Sequence, residues 1–209
     1  MGIEFLIGIV ILIFSVILHE VMHGYVADRL GDPTARHQGR LTLNPVPHID
    51  PVGSVLLPAL LILSHTGILV GWAKPVPYNP NNLSGRYDDA KVAFAGPGMN
   101  IILAVIFGLI VRFGYTSFSP AFLLVATLVI YINLGLAIFN LIPIPPLDGS
   151  KVLFSLLPYR FRFVQNTLER YWFIGIFVLV LIFGFSGLLF PVLEFLFFVL
   201  TGHFGLALI

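Results

Sequence analysis

Long apolar runs broken by two polar stretches set the pattern of this chain. From Val92 to Val111 run 20 residues without a formal charge, and from Ala121 to Ile142 run 22. Each matches the roughly 20 apolar residues that a helix needs to cross a bilayer core of about 30 Å, so each predicts one spanning helix. The opening segment, residues 3–27, is apolar from Phe5 to Leu18 and then carries His19, Glu20 and His23 ahead of the first Lys or Arg, Arg29. It has neither the basic start nor the small-residue cleavage site of a signal peptide, and it predicts a third helix. Residues 172–209 hold one formal charge, Glu194. As a single helix they would extend about 57 Å, so a break is expected around Gly184, Gly187 and Pro191, leaving hydrophobic helices within 171–209. A further apolar stretch from Val52 to Val70 is interrupted by Gly53, Pro58, Ser64, His65 and Gly67, and can either span or enter and return.

The polar stretches, residues 28–51 and 71–91, are rich in Pro, Asn and Gly and read as loops with short extended pieces at 40–43 and 72–76. No internal repeat or low-complexity linker divides the chain, which predicts one domain over 1–209. Composition sharpens the class: 58% of residues are hydrophobic and 10% charged, with a mean hydropathy of +0.99. A soluble domain carries about a quarter charged residues, so the chain belongs in a lipid bilayer. A formal net charge of +1 offers no footprint for nucleic acid. With no cysteine, disulfides and thiolate ligands are excluded, and any metal must sit on His, Asp, Glu or Asn.

One stretch carries chemistry. His19-Glu20-Val21-Met22-His23 places two imidazoles at i and i+4 on one helical face, where both can ligate one metal ion. Glu20 lies beside that face, in reach of a water on the metal, as a general base. An ionisable trio in an apolar helix is costly, on the order of 2.5–3.5 kcal/mol for one charge at the bilayer centre, and marks function by default. A catalytic zinc site takes three protein ligands and leaves one position open. Candidates for the third are His37, His48, His65, His203, Asp148 and a few loop acids. Asp148 is preferred because it follows a charge-free helix directly, in Asn140-Leu-Ile-Pro143-Ile-Pro145-Pro146-Leu147-Asp148-Gly149. The prolines forbid a continuing helix and force extended backbone, which can turn a carboxylate back into the bundle.

HEVMH in a membrane helix, Ala95-Gly96-Pro97-Gly98-Met99-Asn100 in another and NLIPIPPLDG after a third occur in the order that resembles the site-2 protease family of intramembrane zinc metalloproteases. The stretch from Gly39 to Ser54 is similar to its compact branch, which lacks a PDZ domain. The resemblance implies one Zn2+ per chain on His19, His23 and Asp148, water activation by Glu20, and a role for Asn140 in positioning substrate or its developing oxyanion. It implies transmembrane proteins as substrates and a part in regulated intramembrane proteolysis. His and carboxylate ligands suit zinc, and manganese or iron fit the same donors in principle. The alternative is a non-proteolytic zinc-binding membrane protein, either an inactive substrate-binding relative or a transporter component. An inactive relative would lose Glu20 or a ligand, and a transporter needs polar groups in the outer half of the first helix, where only Ser15 stands.

If His23 and Asp148 share a metal, the carboxyl ends of the first helix and of the 121–142 helix face the same side. Residues 52–70 must then not span. With that count, Arg112 alone of the 11 Lys and Arg residues falls on one side, which places the amino terminus outside and the active site nearer the cytoplasmic face. The expected fold is an all-α polytopic membrane protein. It has a three-helix catalytic core over about 3–27, 92–111 and 121–142, a polar or re-entrant insert over 28–91, and carboxy-terminal helices. The short extended pieces could hold an unwound substrate by edge pairing. Blander readings stand beside these: Asn140 as a helix-bridging amide, His48, His37 and His65 as structural, and Gly96 and Gly98 as packing glycines with Pro97 near a helix start.

Overall fold

The computed structural model of the chain describes residues 2–64, 71–173, 175, 187 and 189–205, and among these it is helical, with no strand. α1 (Ile3–Arg29) holds the HEVMH stretch near its carboxyl end, and the single turn α2 (Thr34–His37) follows. Asp50 then caps a π-helical stretch, Pro51–Leu56, accepting the N–H groups of Val52 at 3.0 Å and Gly53 at 2.7 Å. That stretch runs into α3 (Leu57–Leu63). After a polar segment come α4 (Asp88–Gly114) and α5 (Pro120–Asn140); α5 is started by Ser119, whose hydroxyl accepts the Phe122 N–H at 3.3 Å, with proline in the first helical position. The chain continues through α6 (Asp148–Leu156), α7 (Arg162–Arg170) and α8 (Leu189–Thr201).

Among the described residues three helices are long and apolar enough to cross a membrane, namely α1, α4 with its terminal turn, and α5. They pack on one another, and α8 closes the bundle against α4 and α5. Its Phe197 is fully buried among Ala104, Val111, Ala126 and Ile130. The isolated charge of this region, Glu194, accepts a hydrogen bond from the Tyr131 hydroxyl at 2.5 Å. Of the expected break, Gly187 sits ahead of α8 at φ +58. Pro191 lies in the first turn, where its missing N–H would be unpaired anyway. Gly184 lies outside the described residues.

α1 runs on to Arg29 and α4 to Gly114, past the expected ends at 27 and 111, and two further boundaries differ for local reasons. α4 begins at Asp88 rather than Val92, because Asp88 and Asp89 at its amino end complement the helix dipole and outweigh the rule that a span be charge-free. Pro97 is therefore inside the helix instead of near its start, and it cannot donate to the Ala93 carbonyl one turn back. α5 stops at Asn140 instead of Ile142, since Ile142 precedes Pro143 and a residue before proline is driven out of the helical region.

The two described ends of the insert's apolar stretch meet again. The 13 residues from Pro51 to Leu63 would reach about 20 Å as helix, short of the roughly 30 Å core. The Trp72 N–H donates to Gly53 O at 3.2 Å and the Ser54 hydroxyl to Trp72 O at 2.8 Å, so the chain comes back to where it left. The extended pieces do not pair as strands. In residues 72–76 the N–H groups of Trp72, Lys74 and Val76 are taken by Gly53 O, His48 O and the Glu20 carboxylate, while Pro75 and Pro77 have none to give. Residues 41–42 form a bend. Edge pairing with a substrate therefore finds no preformed strand here.

Candidate metal centre

α1 presents His19 and His23 one turn apart toward α4, and the loop after α5 brings Asp148 against them. The two Nε2 atoms lie 3.1 Å apart, and Asp148 Oδ2 is 3.1 Å from His19 Nε2 and 3.2 Å from His23 Nε2. This trio is the group of His and acidic side chains that could hold a metal ion among the described residues. His37 is exposed on α2. His48 is buried in the insert, where Nε2 donates to Thr42 O at 2.9 Å. His203 stacks on Tyr115, and His65 lies outside the described residues.

The outer nitrogens decide what the inner ones can do. His19 Nδ1 faces Asn100 Oδ1 at 2.6 Å and His23 Nδ1 faces Val92 O at 2.7 Å. Both partners are acceptors, so each Nδ1 carries the proton and each neutral ring turns a bare Nε2 lone pair inward. Two lone pairs and a carboxylate oxygen in mutual contact repel unless a positive charge lies among them. The donor set thus suits a divalent cation bound by two imidazoles and one carboxylate, with a position left for water.

Glycines shape the space. A methyl group at Gly96 would lie 2.4 Å from His23 Nε2 and 2.6 Å from His19 Nε2, so a side chain there would fill the cradle between the imidazoles. At Gly98 a methyl group would meet only ring carbons of Phe94 on the same helix, at 3.3 and 3.5 Å, so no neighbouring helix among the described residues approaches there. Gly149 closes the other side: a Cβ there would lie 2.1 Å from Leu141 O, so only glycine lets the chain fold back after α5 with Asp148 aimed at the imidazoles. Asp148 is also the first residue of α6, where a carboxylate suits the helix dipole.

Glu20 stands beside the trio, with Oε2 accepting the Val76 N–H at 2.8 Å. The segment that supplies this N–H is held over the site by buried Arg40, whose guanidinium donates to Lys74 O at 2.8 Å and Pro75 O at 3.2 Å. Asp32 ties down its far end, accepting from Asn79 N–H and the Asn82 amide. Together these residues enclose a cavity of about 180 Å³, lined by His19, Glu20, His23, Val76, Tyr78, Asn140, Asp148 and Lys151 among others. Asn140 lines it from the end of α5, its Nδ2 donating to Leu136 O of its own helix at 2.9 Å.

Sequence reasoning missed the structural duties of Val92, Gly96 and Gly149, and of the 71–79 segment. A backbone carbonyl has no sequence signature. The AGPGMN stretch did flag Gly96, and its distance from HEVMH hid the contact.

A buried His-His-carboxylate group that could hold a metal ion, with a glutamate beside it, lies among three membrane-length helices, and its donors are those of a metal-dependent hydrolase. Residues 115–183 match the model of peptidase family M50. The chain is 38% identical over 194 residues to the Bacillus subtilis protein named "Putative zinc metalloprotease YwhC", covering 89% of this chain and 85% of that protein. It is 31% identical to the Methanocaldococcus jannaschii "Putative zinc metalloprotease MJ0611", covering 71% of this chain and 70% of that one. It is also 31% identical to the Mycolicibacterium smegmatis "Putative zinc metalloprotease Rip2", covering 70% of this chain and 58% of that one. The chain belongs to peptidase family M50, the site-2 protease family. No solved structure gives a significant match.

Proposed function

We propose that the chain is a single-domain intramembrane zinc metalloendopeptidase that hydrolyses peptide bonds in or near transmembrane segments of other proteins. The names of its relatives support zinc and proteolysis. The observation that carries the rest is one cavity, among membrane-length helices, that holds a three-donor metal site, a carboxylate beside it and Asn140 across from it. One zinc ion, held by His19, His23 and Asp148, would act as a Lewis acid on the scissile carbonyl and make its water acidic enough to lose a proton near neutral pH. Glu20 accepts that proton and passes it to the leaving amine. The Val76 N–H keeps one Glu20 oxygen in place, so that the other is free for the water. Asn140 lines the cavity, and the amide hydrogen that Leu136 O does not take would position the substrate carbonyl.

A transmembrane substrate must unwind locally before its carbonyl can enter so narrow a space, because helical hydrogen bonds otherwise shield it. The distribution of Lys and Arg supports an amino terminus outside and a site nearer the cytoplasmic face. The test uses Glu20→Gln beside wild type in liposomes carrying a panel of single-span proteins. The expected result is equal metal in both proteins and cleavage by wild type that falls about 10²–10⁴-fold in the variant. A metal-loaded wild type that cleaves none of the panel, or a variant that cleaves like it, would favour a non-proteolytic zinc protein.

A further inference from the structure

A line of buried amides runs from the metal ligands into the middle of the bundle, and neither the metal nor the proposed hydrolysis requires it by itself. Asn100 of α4 and Asn133 of α5 are each 0% exposed, and Ser15 of α1 is 4% exposed. His19 Nδ1–H donates to Asn100 Oδ1 at 2.6 Å, Asn100 Nδ2 donates to Asn133 Oδ1 at 2.8 Å, and Asn133 Nδ2 donates to the Ser15 hydroxyl at 2.9 Å. The direction of this chain is fixed by backbone. Asn100 Nδ2 also faces Ser15 O at 3.4 Å, and Asn133 Nδ2 faces Val129 O at 2.9 Å. Carbonyl oxygens only accept, so turning either amide over would set oxygen against oxygen in a dry interior, an arrangement that costs the full desolvation of both groups.

Every donor therefore points away from the metal site and every amide oxygen toward it. Oriented in series, such dipoles polarise one another. The oxygen that reaches His19 holds its proton on Nδ1 and enriches Nε2 as a donor. We propose that Asn100, Asn133 and Ser15 form a positioning relay that sets the tautomer and donor strength of His19, and so makes metal affinity depend on the mutual packing of all three spanning helices. This rests on the metal-site reading above, not on the protein's being a protease.

The test is a cobalt titration of the metal-free full chain in detergent, followed by absorption, with thermal unfolding of the metal-free form alongside. Asn100→Ala removes the acceptor for His19, and outer-shell losses of this kind weaken metal binding about 10–100-fold. Asn100→Asp keeps that acceptor and loses the donation to Asn133. It is expected to bind cobalt within a few-fold of wild type while unfolding at a lower temperature. Asn133→Ala leaves the His19 contact in place but removes the acceptor that polarises the Asn100 amide, and should weaken binding in the same direction by less. Should Asn100→Ala not fold, Asn133→Ala and Ser15→Ala carry the test. Equal losses in Asn100→Asp and Asn100→Ala would show that an acceptor on His19 Nδ1–H contributes nothing to metal affinity, and would overturn the relay. So would wild-type affinity in Asn100→Ala, or in both Asn133→Ala and Ser15→Ala. A wild type that binds no cobalt would instead overturn the metal site itself.

Discussion

Adding a single methyl group to Gly96 should weaken metal binding by this protein. The added Cβ would stand 2.4 Å from His23 Nε2 and 2.6 Å from His19 Nε2, whereas zinc needs bonds of about 2.0–2.1 Å to each nitrogen. Carbon and ion cannot share that space. Nor can the rings swing aside freely, because His19 is held to Asn100 and His23 to Val92 by bonds of 2.6 and 2.7 Å. Relief must come from a backbone shift or broken ring contacts, and overpacking of a tight interior costs about 1–3 kcal/mol. Falling on the metal-bound state, that is about 5- to 150-fold in affinity. Gly98→Ala makes the same change one half-turn on, against ring carbons of Phe94 at 3.3 Å or more, and should leave the metal untouched. Metal per chain by mass spectrometry, with chelator competition for affinity, separates the two. Wild-type affinity in Gly96→Ala, or an equal loss in Gly98→Ala, would refute the argument.

Gly149→Ala should destabilise the whole fold by about 1–3 kcal/mol or more, since its Cβ meets the Leu141 carbonyl at 2.1 Å; a lower unfolding temperature even without metal is the readout. For Asp32, burial pushes the carboxyl up, but hydrogen bonds from Thr34, Asn79 and Asn82 outweigh it and hold the group below its ordinary value. A folded-state value below the unfolded one of about 3.9 adds stability above that pH and loses it as pH falls through the folded value. Asp32→Asn should therefore unfold at a lower temperature than wild type at neutral pH, and the gap should narrow on acidification below about pH 4; a constant gap refutes it. The chain has no cysteine, so Arg86→Cys and Ser117→Cys each introduce a single thiol at an exposed position. In intact cells an impermeant thiol reagent should label the second and not the first.

The membrane-length helices were legible because a charge-free run has few other uses, and HEVMH because helical periodicity puts i and i+4 on one face. Asp148 was legible through the proline run that ends α5. Charge-free scoring failed at Asp88 and Asp89, where dipole and charge agree. The extended piece at 72–76 pairs with no strand, because Gly53, His48 and Glu20 take the N–H groups of Trp72, Lys74 and Val76, contacts that no local pattern reveals. Gly96 is a tertiary contact between α4 and α1, and no local pattern separates it from Gly98.

The trio also orders events in the life of the chain. His19 enters the membrane with the first helix, but its partner Asp148 lies 129 residues later, beyond two further spans. A chain emerging from the ribosome therefore has half a metal site for most of its synthesis. The three donors come together only with the last core helix packed and the turn at Gly149 closed, so a partly inserted copy holds no complete site.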